Sequence, residues 1–191
     1  LGKQVVELFP KLGLGWLNGW LPLGFVYLIL GIMLAIFPKD VVRRLYDKSG
    51  WRPRQRILRF TGRLLALVLF GLLIFTPLKV GDYVLIPGGI LFALGLAGFT
   101  IALFSFKDTP FDQPVVRGLY RVSRNPQIAA LSISLLGICI ATGSWVTTFL
   151  LVVTQSFSHA RILAEEKSCL EQYGDSYRNY MTRVPRYFLF R

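Results

Sequence analysis

Five apolar runs, separated by polar and basic segments, organise the chain: residues 14–37, 64–80, 83–106, 127–142 and 144–160. Each approaches the roughly 20 residues that a helix needs to cross a bilayer core. The pattern predicts an all-α, polytopic membrane helix bundle of about five transmembrane helices, ending in a C-terminal helical hairpin and a cytoplasmic helical tail. The first run is too long for a removable signal, and the basic residues after it suit a stop-transfer flank. In the polar segment 38–63, Val41, Val42, Leu45 and Tyr46 recur at helical spacing. They predict an interfacial amphipathic helix anchored on headgroups, broken at Gly50 and Pro53. Thr142 and Gly143 leave room only for a tight antiparallel hairpin between the fourth and fifth runs. Beyond residue 160 the helix is expected to continue to Gly174, with Asp175 or Ser176 capping the next. Leu170, Tyr173, Tyr177 and Tyr180 then form an aromatic stripe, which Pro185 closes.

Composition narrows this picture. With 191 residues, 53% hydrophobic and 17% charged, and a mean hydropathy of +0.52, the chain is too apolar for an ordinary soluble domain. Without an internal repeat or linker it reads as one domain, 1–191, with N-terminal spans in 1–106 and a core in 107–191. The 22 basic residues against 10 acidic ones invite a nucleic-acid reading, but their positions answer it. Lys39, Arg43, Arg44, Lys48, Arg52, Arg54, Arg56, Arg59 and Arg63 separate the first two runs; Lys107, Arg117, Arg121 and Arg124 separate the third and fourth. The tail carries Arg161, Lys167, Arg178, Arg183, Arg186 and Arg191, whereas the other connections hold Lys79 alone or nothing basic. This is the positive-inside pattern for an N-terminus outside and a C-terminus in the cytoplasm. Topology and anionic headgroups, at about 1 kcal/mol per residue, account for the charge without a nucleic-acid partner. Cys139 and Cys169 sit in different environments and predict no disulfide; no metal-ligand spacing exists. The lone His159 reads as an interfacial residue.

Candidate chemistry lies where the hairpin returns to one side of the membrane, at SRNPQ (123–127) and SHARILAEE (158–166). Asn125 as N-cap and Pro126 at the first helical position account for a helix start, but not for Gly118, Tyr120, Arg121 and Arg124 before them. The free N–H groups of that start suit a carboxylate or phosphate. On the returning helix Arg161 and Glu165 stand one turn apart, with Ile162 and Glu166 further round. Spacing alone makes the first pair a surface salt bridge of at most about 0.5 kcal/mol.

The combination GLYRVSRNP (118–126), an apolar hairpin, then RILAEEKSCLEQYGDSYRNYMTRVPR (161–186) resembles the integral-membrane methyltransferases of the isoprenylcysteine carboxyl methyltransferase and phospholipid methyltransferase superfamily. DTPFDQPV (108–115) is similar to the lead-in of some bacterial members. The resemblance covers about the last 85 residues and implies S-adenosylmethionine as methyl donor, with S-adenosylhomocysteine as product. It implies a cofactor pocket of Val115, Tyr120, Arg124, Asn125, Pro126, Gln127, Ile128 and Glu165. Arg161 falls on the substrate side, and Arg161, Glu165 and Glu166 form the expected catalytic group, with Glu166 assisting or facing the surface. Ile128 stands where many members have tyrosine, and Asp112 where the isoprenylcysteine enzymes have histidine. The acceptor is expected to be lipophilic, a phospholipid amine, an isoprenylcysteine-type carboxylate or similar. An amine would need a base, for which Glu166 and His159 are the candidates. The alternatives are an NADPH-dependent reductase of sterol-reductase type and a non-enzymatic membrane scaffold or lipid-binding protein.

Overall fold

Local sequence signals set the helix ends in the computed structural model, which describes residues 6–46, 53–110 and 113–188. Helix α1 (Trp20–Ile36) stops before Phe37 and Pro38, as a residue preceding proline is pushed out of the helical region. α2 (Lys39–Tyr46) follows at once, then α3 (Pro53–Phe75) and α4 (Leu85–Lys107). A 3-10 turn (Gly118–Arg121) leads to α5 (Pro126–Thr142), α6 (Trp145–Tyr173) and α7 (Asp175–Arg183). The fold is all-helical, with seven α-helices and no strand among the described residues.

Several ends differ from expectation for identifiable reasons. The first apolar run becomes helical only at Trp20, because Asn18 Nδ2 donates to Gly13 O (2.6 Å) and Ile74 O (3.3 Å) and holds residues 13–19 as a loop. The helix of the second apolar run, α3, spans 53–75, not 64–80: Pro53 opens it as a first-turn residue, and Thr76–Pro77 ends it. Gly50 and Arg52 lie outside the described residues. Asn125 makes no side-chain capping bond. Asp175 is the first residue of α7 and Gly174, at φ 53°, is its N-cap, so neither Asp175 nor Ser176 caps it. The helix after the hairpin does run unbroken to Tyr173.

α5 packs along α4 far more than along α6, although Gly143 at φ 62° turns the chain directly from α5 to α6. Small residues explain the choice. A Cβ on Gly88 would lie 2.6 Å from the Ala141 backbone N, and one on Gly95 or Gly137 would collide with the backbone N of Ser134 or Phe92. The two helices therefore touch through their backbones, as small residues permit, and Ser134 Oγ donates to Phe92 O across the contact (3.0 Å). α6 packs along α3, and α1 leans on α3 and α4. One core joins Leu23, Leu69, Leu73, Leu135, Ile138 and Leu151; a second joins Met33, Phe37, Val41, Phe99, Leu103 and Ala130.

The connections gather at two ends. At one, Glu7 N donates to Gly143 O (2.8 Å), Trp145 N donates to Glu7 O (3.0 Å), and Lys79 N donates to Ala141 O (2.9 Å). Lys79 Nζ adds an ion pair to Glu7 at 2.9 Å. At the other end lie α2, the 3-10 turn, the start of α5 and α7. Large apolar side chains such as Leu28, Leu67, Ile90, Leu94 and Phe149 are exposed on the outer faces. Among the described residues α4 is the one helix both long and apolar enough to cross a membrane; α1, Phe60–Phe75 of α3, and α5 are shorter apolar helices.

Candidate functional site

A cavity of about 720 Å³ opens at the α2 and α7 end of the bundle. Val115, Tyr120, Arg124, Asn125, Gln127 and Ile128 border it from the lead-in and the start of α5, and Arg161, Glu165 and Glu166 border it from α6. The two stretches that the sequence marks are thus brought together around one space. Pro126 is the exception: it is buried as the first residue of α5 and does not line the cavity. Asp112 lies outside the described residues.

The C-terminal segment 184–187 stitches this arrangement. Arg124 N donates to Pro185 O (2.9 Å), while Ser123 Oγ (3.0 Å) and Asn125 Nδ2 (3.4 Å) donate to Arg186 O. Tyr180 Oη donates to Tyr120 O at 2.6 Å. Asn125 therefore secures the tail instead of capping α5.

The adjacent glutamates have different surroundings. Glu166 is buried, not at the surface. Arg186 Nε reaches its two oxygens at 3.0 and 3.1 Å and Nη2 reaches Oε2 at 2.8 Å. Arg124 Nη1 stands 3.5 Å from Oε1 in an ion pair. Glu165 and Arg161 form a 2.7 Å pair whose side chains are 35% and 42% exposed, so solvent screens it. Arg124 Nε and Nη1 and Gln127 Nε2 are buried without a hydrogen-bond acceptor. Buried polar groups are paired in the great majority of cases, and Arg124 and Gln127 both border the cavity, so their side chains could turn to an acceptor group brought by a ligand.

The aromatic wall is neutral. Burial pushes the phenols of Tyr120, Tyr177 and Tyr180 well above the usual tyrosine range, which suits them to packing and hydrogen bonding, not to proton transfer. Burial also pushes the Cys169 thiol up, to about 11, so it is protonated and unreactive at neutral pH.

Sequence reading missed one wall entirely. Asp40, Arg43, Arg44 and Leu45 of α2 border the cavity, as do Phe106, Tyr173 and Tyr177. Arg44 donates to the carbonyls of Thr109 (3.1 Å), Pro110 (3.1 Å) and Gln113 (3.0 Å) and sits 5.1 Å from the Phe106 ring centre. It ties α2 to the lead-in that carries Val115. A basic amphipathic pattern serves a headgroup anchor and a cavity wall equally, so nothing in that pattern separated the two. His159 does not line this cavity; its Nδ1 shares a 2.8 Å hydrogen bond with Tyr187 Oη beside a separate groove.

The family model for phospholipid methyltransferase matches residues 80–176, just over half of the chain. The match takes in α4, the lead-in, the 3-10 turn, α5 and α6, but neither α2 nor Arg186. No curated protein and no solved structure matches.

Proposed function

Since the chain belongs to the phospholipid methyltransferase family, we propose that it moves a methyl group from S-adenosylmethionine to a lipid acceptor at the cytoplasmic membrane face. The observation that carries this reading is the polarity of the cavity. Arg124, which also pairs with Glu166, and Gln127 share it with the Glu165 carboxylate and a set of aromatic rings. The donor's carboxylate suits Arg124 and Gln127, its ammonium or ribose hydroxyls suit Glu165, and its adenine and sulfonium suit Tyr120, Tyr173 and Tyr177. Asn125, Ile128 and Val115 complete that pocket, and Pro126 acts by setting the start of α5. When bound, S-adenosylmethionine supplies an electrophilic methyl group and leaves as S-adenosylhomocysteine.

The chain's own residues then mainly align and shield the reacting atoms, which suffices for an in-line displacement. Arg161, at the exposed edge, holds a phosphate or carboxylate of the acceptor. In this reading Glu166 is a positioning residue, because Arg186 engages both its oxygens. A carboxylate acceptor needs no base. An amine acceptor has to shed a proton, and at the exposed edge beside Arg161 and Glu165 that proton can pass to water.

The same reading makes residues 1–191 one multi-pass domain. α1, α3, α4, α5 and the first part of α6 would cross the bilayer, with the cavity at the cytoplasmic end. Two features support it: the long helices alternate in direction between the two ends, and Arg43, Arg44, Lys107, Arg121 and Arg161 gather at the cavity end, as positive-inside sorting requires.

The test is calorimetric binding of S-adenosylmethionine and S-adenosylhomocysteine to detergent-purified protein, with Arg124→Ala and Glu165→Ala alongside. Loss of a charged hydrogen bond, about 1.5–3 kcal/mol, should weaken binding roughly ten- to hundredfold in each variant. A folded wild type that binds neither compound refutes the reading, and NADPH binding in its place moves it to a reductase.

A further inference from the structure

A second recess, of about 500 Å³, lies between α5 and α6. Ile133, Leu136, Leu151 and Val152 line it, and His159 and Tyr187 stand at the end nearer the cavity. Its other side chains do not make it polar inside. Ser132 Oγ donates to Ile128 O (2.7 Å) and Ser156 Oγ to Val152 O (3.2 Å), so both hydroxyls are satisfied by their own helices. Polarity is concentrated in Gln155 and in the His159–Tyr187 hydrogen bond of 2.8 Å.

The groove adjoins the cavity on three elements. On α5, Ser132 of the groove is one turn from Ile128 of the cavity. On α6, His159 of the groove and Glu166 of the cavity lie about two turns apart on one face. In the tail, Tyr187 follows Arg186, the partner of Glu166. An apolar groove therefore ends beside the same elements that carry the basic edge and the space bordered by Glu165. That order, hydrocarbon first, anion-binding cation next and reacting centre last, is the order of parts in an amphiphile. We infer that the α5–α6 groove binds one hydrocarbon chain of the acceptor lipid, and that the His159–Tyr187 pair marks the level at which chain gives way to headgroup. The inference rests on the methyltransferase reading for the word acceptor; chain binding itself can be tested apart from it.

The probe is a phospholipid carrying a diazirine in one acyl chain, incorporated into nanodiscs with the full chain and irradiated without S-adenosylmethionine. Peptide mapping should place the adducts on residues 132–136 and 151–159. Val152 is 60% exposed, so Val152→Trp fills the groove without disturbing the core, and it should cut the adducts at least tenfold. Phe149→Trp, outside the groove, should leave them unchanged. Adducts spread over the outer faces of α1, α3 and α4, or unaltered by Val152→Trp, overturn the inference, as do protein–protein adducts at the groove, which would assign it to a second copy. With S-adenosylmethionine present, Val152→Trp should raise KM for a long-chain acceptor, by roughly fourfold per methylene displaced, and leave a short-chain analogue unaffected. Equal losses for both overturn it. Groove adducts in a protein that methylates nothing would leave the groove assignment standing and refute the enzymatic reading alone.

Discussion

Replacing Arg186 by alanine separates the two jobs of the buried ion-pair network. Glu166 has a side chain 6% exposed, and Arg186, 27% exposed, engages both its oxygens. Arg124 Nη1 waits at 3.5 Å, close enough to pair but outside hydrogen-bond geometry. Without Arg186, Glu166 becomes a buried carboxylate with Arg124 as its nearest cation, and that 3.5 Å pair should contract into full hydrogen bonds. Breaking a buried pair outright costs about 3–5 kcal/mol. Here one partner remains and the lost one is partly solvated, so the expected stability loss is about 1–3 kcal/mol. The backbone carbonyl of residue 186 keeps its bonds from Ser123 and Asn125, so the tail stays docked. The larger effect falls on binding: Arg124 donors turned towards Glu166 are lost to the ligand, which at about 1.5–3 kcal/mol is roughly ten- to hundredfold in Kd. Calorimetry with S-adenosylhomocysteine on Arg186→Ala and on Arg186→Ala with Glu166→Gln reads this directly. The neutral amide no longer attracts Arg124, so the double variant should recover much of the affinity. Arg186→Ala binding within threefold of wild type, or a double variant no better than the single, refutes the reasoning.

Gly137→Ala should lower the thermal midpoint in detergent, by an overpacking cost of about 1–3 kcal/mol, because its Cβ meets the Phe92 backbone; Gly71→Ala, with open space around it, is the control, and equal midpoints would refute backbone contact between α4 and α5. Arg44→Ala removes three carbonyl contacts from the lead-in and should speed tryptic cleavage at Lys107 or Arg117 severalfold; an unchanged rate would mean the lead-in is held by other contacts. In a Cys139→Ser protein, iodoacetamide should modify Cys169 slowly. Burial raises its pKa to about 11 and so favours the protonated thiol, making the rate at pH 8 roughly a hundredfold lower than for an ordinary thiol. A rate that levels off near pH 9 would contradict that burial.

What could be read from the residues was local. Pro126 after Asn125, the left-handed turn at Gly143, and the positive φ of Gly174 each act within a few residues, and each ended or began a helix where the sequence suggested. The distinction between Glu165 and Glu166 was not local. It depends on Arg186, 20 residues on, which closes the motif that carries the resemblance but shows nothing in its neighbours of the glutamate it pairs with. The role of α2 was hidden for a related reason, since Arg44 meets its carbonyl partners 65 to 69 residues away. The preference of α5 for α4 was present in Gly88, Gly95 and Gly137, but small residues in apolar helices also serve other partners, and only the packing names the one chosen.

The bond pattern around Glu7 has a consequence for the order in which the molecule is made. Its backbone is held by Gly143 and Trp145, partners that the ribosome delivers more than a hundred residues later. At roughly 5–20 residues per second, the segment ahead of α1 is finished many seconds before its docking place exists. Meanwhile Leu8, Phe9, Leu12 and Trp16, which stay exposed even in the finished fold, are available to rest at the bilayer interface. A stretch made ahead of α1 is thus fastened only after α5 has been made, and its attachment ties the ends of α3, α4, α5 and α6 together.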